Sequence, residues 1–221
     1  MVEVRRTRRD IRHPAPTTGH TGLVSTGAPR IWYGDDVADD TDLRLCGDMS
    51  GRRVIELGIA PHRANAVEFA VQGAKAIALD PSAERIAQVR RAAETAEVQV
   101  ECHVGDFADL GFATSGSVDL VVSSHRLAEA DDLARLLRQV HRVLRPDAPF
   151  VVAVPHPAAA MLGPDGQQVE RSYGDGAFAV ARLFTALLRA DLRIDVVHEL
   201  RTTPSAPVPS TLVVRARKLG V

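Results

Sequence analysis

The sequence predicts a doubly wound α/β domain with a mostly parallel seven-stranded sheet and an antiparallel C-terminal strand. Three observations predict it. From Arg52 onward, short apolar runs alternate with helical stripes in the order strand, helix, strand, helix. The runs are continuous rather than alternating, as in strands covered on both faces. The last two strand candidates have no helix-sized segment between them and are expected to pair antiparallel.

Met1 to Ala28 holds Arg5, Arg6, Arg8, Arg9 and Arg12 followed by Pro, Thr and Gly. That is too little apolar surface to offset the entropy of ordering, so residues 1–28 are expected to be a disordered tail and 29–221 one domain with its core at 50–155. Ile31-Trp32-Tyr33-Gly34 reads as a lead-in segment. A short helix is expected after it, and the aspartates Asp35, Asp36, Asp39, Asp40 and Asp42 read as a solvated run. Strands are predicted at Val54–Leu57, Ala76–Leu79, Val98–Val104, Val118–Val122 and Phe150–Val154. Leu133, Leu136, Leu137, Val140, Val143 and Leu144 recur at three- and four-residue spacing, which predicts a helix ending before Pro146. A further helix is expected around Phe178–Leu188. The final strands Leu192–Val197 and Thr211–Arg217 flank the proline-bearing loop from Pro204 to Pro209.

Composition excludes several function classes. Twenty-seven basic residues against 28 acidic ones give a formal charge of −1, so no bulk field favours nucleic acid or an anionic membrane. No run of about 18 apolar residues occurs, and no apolar stretch follows the N-terminal arginines, so neither a membrane partner nor secretion is expected and the reading is cytoplasmic. Cys46 and Cys102 have no ligand-spaced partner, so neither a disulfide framework nor a metal site is suggested.

In such sheets the ligand lies beyond the carboxyl ends of the strands, where the strand order reverses. Those ends read Glu56-Leu57-Gly58-Ile59-Ala60-Pro61-His62, Asp80-Pro81-Ser82, Gly105-Asp106-Phe107 and Ser123-Ser124-His125. A polar or acidic group follows each of the four strands. Asp80 before Pro81 also reads as a helix N-cap with proline at the first helical position. Asn65 reads as a surface residue near the start of a helix.

The ordered set Val54-Ile-Glu-Leu-Gly58, Ala78-Leu-Asp80-Pro-Ser, Gly105-Asp106, Val118-Asp119-Leu-Val and Arg142-Val-Leu-Arg-Pro146, with the terminal hairpin, resembles the class I S-adenosylmethionine-dependent methyltransferases. The likeness is to the small single-domain type with a methyltransferase-11-like core, over about Asp35 to Lys218. It implies S-adenosylmethionine as cofactor and a small-molecule methyl acceptor. It also implies cofactor contacts at Glu56, Gly58, Ala60, Asp80, Pro81, Asp106, Phe107 and Ser123. Asp80 would accept from the ribose hydroxyls and Asp106 from the adenine amine, with Phe107 near the ring. Glu56 would orient the loop or the cofactor's ammonium end.

The glycine loop departs from the family pattern G-x-G-x-G, reading Gly58, Ala60 and His62 with Pro61 between. Alanine at a left-handed position costs about 1–2 kcal/mol, so weaker cofactor binding is expected. The G-x-G-x-x-G of nicotinamide enzymes is absent, which disfavours an oxidoreductase. A degenerate methyltransferase fold that binds the cofactor weakly or not at all, and serves as a binding or interaction module without catalysis, is the other alternative.

Methyl transfer is an in-line displacement helped mainly by alignment, and a histidine can take a proton from the acceptor. His125 and His156, after the fourth and fifth strands, are the candidate bases, with Tyr173 a third. Acceptor selectivity is expected in the connection from His156 to Gly176, read as structureless. Trp32 and Tyr33 would either help close the cofactor pocket or anchor the lead-in strand.

Overall fold

The computed structural model describes residues 30–163, 166, 168–175 and 177–220. The tail expected over 1–28 lies outside the described residues. Seven strands run β1 (Arg53–Leu57), β2 (Lys75–Asp80), β3 (Val100–Val104), β4 (Leu120–Ser124), β5 (Pro149–Pro155), β6 (Leu192–Leu200) and β7 (Thr211–Lys218). They form one sheet in the order β3-β2-β1-β4-β5-β7-β6. Every pairing from β3 to β5 is parallel, and β7 runs antiparallel to both β5 and β6.

Period-two alternation sorts the strands' side chains into two cores. Ile55, Leu57, Ile77, Leu79 and Val121 face α4 (Leu133–Val143) and α6 (Val180–Arg189) through Leu136, Leu137, Val140, Leu183 and Leu187. Val54, Ala76, Ala78, Leu120 and Val122 face α2 (Asn65–Val71) and α3 (Ala83–Thr95) through Phe69, Ile86 and Val89. The same parity sends Glu56 and Asp80 to the α2 and α3 side. Both stand at strand ends, so their carboxylates meet the loops that lead into those helices.

Several expectations are corrected. The third strand begins at Val100 rather than Val98, and the fourth at Leu120, with Val118 making a separate bridge to Leu144. The connection after His156 is not structureless, because α5 (Pro157–Ala160) and a bridge between Leu162 and Val169 occupy part of it. Within the aspartate run, Asp40 opens α1 (Asp40–Leu43) and is fully buried. It accepts from Tyr33 Oη at 2.7 Å, Leu45 N at 2.7 Å and Cys46 N at 3.2 Å. Burial raises its pKa, and those three hydrogen bonds oppose the rise. Tyr33 is therefore an anchor of the lead-in segment. Asn65 is likewise buried, not a surface residue. Its side chain ties the Trp32 main chain through both N and O, and its Nδ2 also reaches Ser124 Oγ at 3.2 Å. No helix among the described residues is long and apolar enough to cross a membrane.

Candidate functional site

The strand order reverses between β1 and β4, and the loops leaving β1, β2, β3 and β4 meet at that crevice. Glu56 is 1% exposed and accepts from Asn65 N at 3.0 Å and Ala66 N at 2.7 Å, two of the orphan donors at the start of α2. Burial pushes its pKa up to about 8 against the pull of those two bonds. Glu56 thus holds the end of the loop from Gly58 to Asn65 from beneath.

Asp80, at the end of β2, is fully buried. Its Oδ2 accepts from Ile59 N at 2.7 Å and its Oδ1 from Ser82 N at 2.8 Å, so one carboxylate clamps the β1 loop to the β2 loop. The N-cap of α3 is Ser82, whose hydroxyl accepts from Arg85 N, and not Asp80. Asp106 follows β3, and its Oδ1 accepts from Ala108 N at 2.8 Å while its side chain stays 36% exposed. Asp80, Pro81, Asp106 and Phe107 line one hollow of about 430 Å³, together with Ser82, Arg126 and Asp131. Glu56, Ala60 and Ser123 are buried outside that lining.

Arg126 is the residue that sequence reasoning missed. Its guanidinium lies 3.8 Å from Asp80 Oδ2 with 12% of its side chain exposed. Its stem covers Gly58 so closely that a Cβ on that glycine would stand 2.3 Å from Arg126 Cβ. The available signal was its position directly after Ser123-Ser124-His125, at the end of a strand already recognised as facing the crevice.

The glycine loop has one left-handed position. Gly58 has φ +77, a left-handed conformation that also avoids Arg126. Ala60 has no positive φ, so the strain expected from alanine there does not arise. It pairs with Arg63 in a short antiparallel bridge. Pro61 and His62 are exposed, and His62 does not line the hollow.

The two histidines differ in what their rings already do. His125 Nε2 lies 2.6 Å from the Tyr33 carbonyl, so that nitrogen carries the proton and Nδ1 keeps the lone pair. Burial lowers its pKa, partly offset by the Tyr33 hydrogen bond and the nearby Asp35 charge. Its ring sits 5.4 Å from that of Trp32. In His156, Nδ1 accepts from Ala158 N at 3.1 Å, and Nε2 bonds Glu199 Oε1 at 2.9 Å. Both His156 nitrogens are therefore engaged in capping α5 and tying it to β6. Tyr173 is exposed, and its hydroxyl accepts from Val180 N at 3.2 Å.

Residues 56–152 match a protein family described as the methyltransferase domain. No curated protein matches the chain in sequence. Among solved structures, an S-adenosylmethionine-dependent methyltransferase from Mesorhizobium loti is 23% identical with a TM-score of 0.60, over 80% of this chain and 95% of that one. One from Aquifex aeolicus is 15% identical with a TM-score of 0.62, over 85% and 91%. The Burkholderia thailandensis 1,6-didemethyltoxoflavin-N1-methyltransferase, solved with its substrate and S-adenosylhomocysteine, is 22% identical with a TM-score of 0.55, over 77% and 72%. At these identities the likeness establishes the fold.

Proposed function

The core of the chain is a methyltransferase domain on the class I fold, and from that premise we propose that it binds S-adenosylmethionine and methylates a small molecule. We also take 29–221 as one domain acting in the cytoplasm. The observation that carries the reading is the hollow shared by Asp80, Asp106 and Phe107. Two carboxylates with an aromatic ring between the β2 and β3 ends suit a nucleoside without phosphate and with a cationic centre. These acceptors therefore suit the hydroxyl and amine donors of the cofactor's nucleoside.

When bound, that cofactor supplies an electrophilic methyl group on a positively charged sulfur. Asp80 and Asp106 bind and orient its nucleoside. The methionyl end would approach Gly58, whose left-handed backbone lies against the Arg126 Cβ. Pro81 and Phe107 shield the nucleoside from water, while Glu56, Ala60 and Ser123 act from below, through the loop. Catalysis then rests on alignment, worth roughly 7–11 kcal/mol in well-oriented systems. Of the two histidines, His125 is the better base in our reading, since its Nδ1 has no hydrogen-bond partner among the described residues. His156 would shape the acceptor side by holding α5 to β6.

A second reading, a degenerate methyltransferase fold that binds the cofactor weakly or not at all and serves as an interaction module, is favoured by one observation. Both Asp80 oxygens already accept main-chain N–H groups, and Arg126 stands over them. Calorimetric titration with S-adenosylmethionine, S-adenosylhomocysteine and NAD separates the readings. Micromolar binding of the first two, weakened at least tenfold in Asp106→Asn, supports the enzyme. Asparagine keeps an oxygen for Ala108 N, so that variant leaves the turn in place. Absence of binding to all three favours the non-catalytic protein, and preference for NAD overturns both.

A further inference from the structure

A second hollow, about 460 Å³, lies at the opposite pole, between the amino ends of β1 and β5 and the carboxyl end of β7. That volume is within the roughly 300–1,000 Å³ of small-molecule sites. Its wall carries Arg44, Arg52, Arg145, Arg215 and Arg217. Only Asp119 and Asp147 oppose them there, five cations against two anions, for a net +3. On a chain whose formal charge is −1, this is a local positive patch.

The counter-ions are shared, leaving guanidinium capacity over. Asp119 is 8% exposed and holds Arg145 at 2.8 Å and Arg52 at 3.4 Å through the same Oδ1, although both arginines are more than half exposed. Its other oxygen is taken by Arg53 N at 2.9 Å. Asp195, behind the wall, binds Arg215 at 3.0 Å and Arg217 at 2.8 Å. Burial tends to raise the Asp195 pKa, but the hydrogen bonds and charges of Arg215 and Arg217 outweigh it and hold the carboxylate below its ordinary range. The Asp147 carboxylate is 75% exposed and stands 3.8 Å or more from its arginines, although the Asp147 carbonyl accepts from Arg217 at 2.9 Å. Arg44 has no side-chain partner among the described residues.

We propose that this hollow is a second binding site, for a small anion carrying phosphate groups. A carboxylate is satisfied by one or two guanidiniums, as Asp119 and Asp195 already are. A phosphate presents three oxygens, and a pyrophosphate more, to forks converging from several sides. Arg44, Arg52 and Arg145 are the ligands, because their guanidiniums are the most open. Arg215 and Arg217 supply a fixed positive wall.

The test is calorimetric titration of the full chain with inorganic pyrophosphate, and separately with a nucleoside diphosphate. Pyrophosphate binding is expected to weaken as salt screens the arginines. It should also weaken about tenfold or more in Arg145→Ala and in Arg44→Ala. Arg44→Ala breaks no ion pair, so loss of folding does not confound it. Asp106→Asn, at the other pole, should leave this binding unchanged. A nucleoside diphosphate that binds tighter than pyrophosphate assigns its nucleoside to the same hollow; equal affinity assigns the phosphates alone. No binding of pyrophosphate, binding indifferent to Arg44→Ala and Arg145→Ala, or binding lost in Asp106→Asn overturns the proposal. None of these outcomes depends on the methyltransferase reading.

Discussion

The two poles of the sheet solve opposite electrostatic problems. At the carboxyl ends, Asp80, Asp106 and Asp131 line a hollow with one arginine, and the first two carboxylates are fixed by main-chain N–H groups of adjoining loops. At the amino ends, five arginines line a hollow with two aspartates, and four of the guanidiniums are held in pairs by shared counter-ions, Asp119 and Asp195. Carboxylates clamped by backbone are part of the fold's own hydrogen bonding. Arginines on long stems are adjustable, and their charge is an excess rather than a structural need. Removing an acid from the first pole should therefore cost stability, whereas removing a cation from the second should cost little.

The largest expected effect is at Glu56. Glu56→Leu leaves Asn65 N and Ala66 N buried without acceptors and should destabilise the domain by about 3 kcal/mol or more in urea denaturation. Arg44→Ala, at the other pole, removes a cation with no side-chain partner among the described residues and should cost less than about 0.5 kcal/mol. Equal losses would break the comparison. Glu56 also sets a pH dependence. Its folded pKa, about 8, exceeds the ordinary 4.5, so its contribution to stability is greatest below 4.5 and declines as pH rises towards 8. Denaturation midpoints measured across that window should show the decline in the wild type and lack it in Glu56→Leu.

The glycine loop gives the next contrast. Gly58→Ala meets both the left-handed φ and the Arg126 stem, and should cost about 2 kcal/mol. Ala60→Gly relieves no strain and should lower stability by at most about 1 kcal/mol, through chain entropy. A stabilised Ala60→Gly would show that the backbone there is strained after all.

The smallest effect is at His125. Burial holds its folded pKa below the ordinary 6.5, so its contribution is present above that pH and is lost as pH falls through the folded value. His125→Gln should flatten that acid limb in the same denaturation series, and an unchanged limb would remove His125 as its source.

Much of this was legible in the sequence, for identifiable reasons. Strand and helix periodicity is local, so the parallel sheet, the α4 stripe and the final hairpin could be read directly. Asp80 and Asp106 could be placed because a strand end fixes where the next side chain emerges. Contacts made across the chain could not be read. Asn65 is buried because Trp32, 33 residues earlier, crosses over it. Asp40 looks like one more solvated acid until Tyr33 and the Leu45 and Cys46 amides are folded around it. Whether Ala60 occupied a left-handed position was a question of backbone geometry that the family's glycine spacing could not decide. The arginine-lined hollow gathers residues from Arg44 to Arg217, and no window of sequence contains it.

The central claim, that the clamped carboxylates form a nucleoside site distinct from the cationic pole, is tested most directly by amide chemical shifts during titration with S-adenosylhomocysteine. The amides of Ile59, Ser82 and Ala108, which donate to Asp80 and Asp106, should move in a saturable way while that of Arg53, which donates to Asp119, stays still. Shifts confined to Arg53 and its neighbours, or none at any of the four, would contradict it.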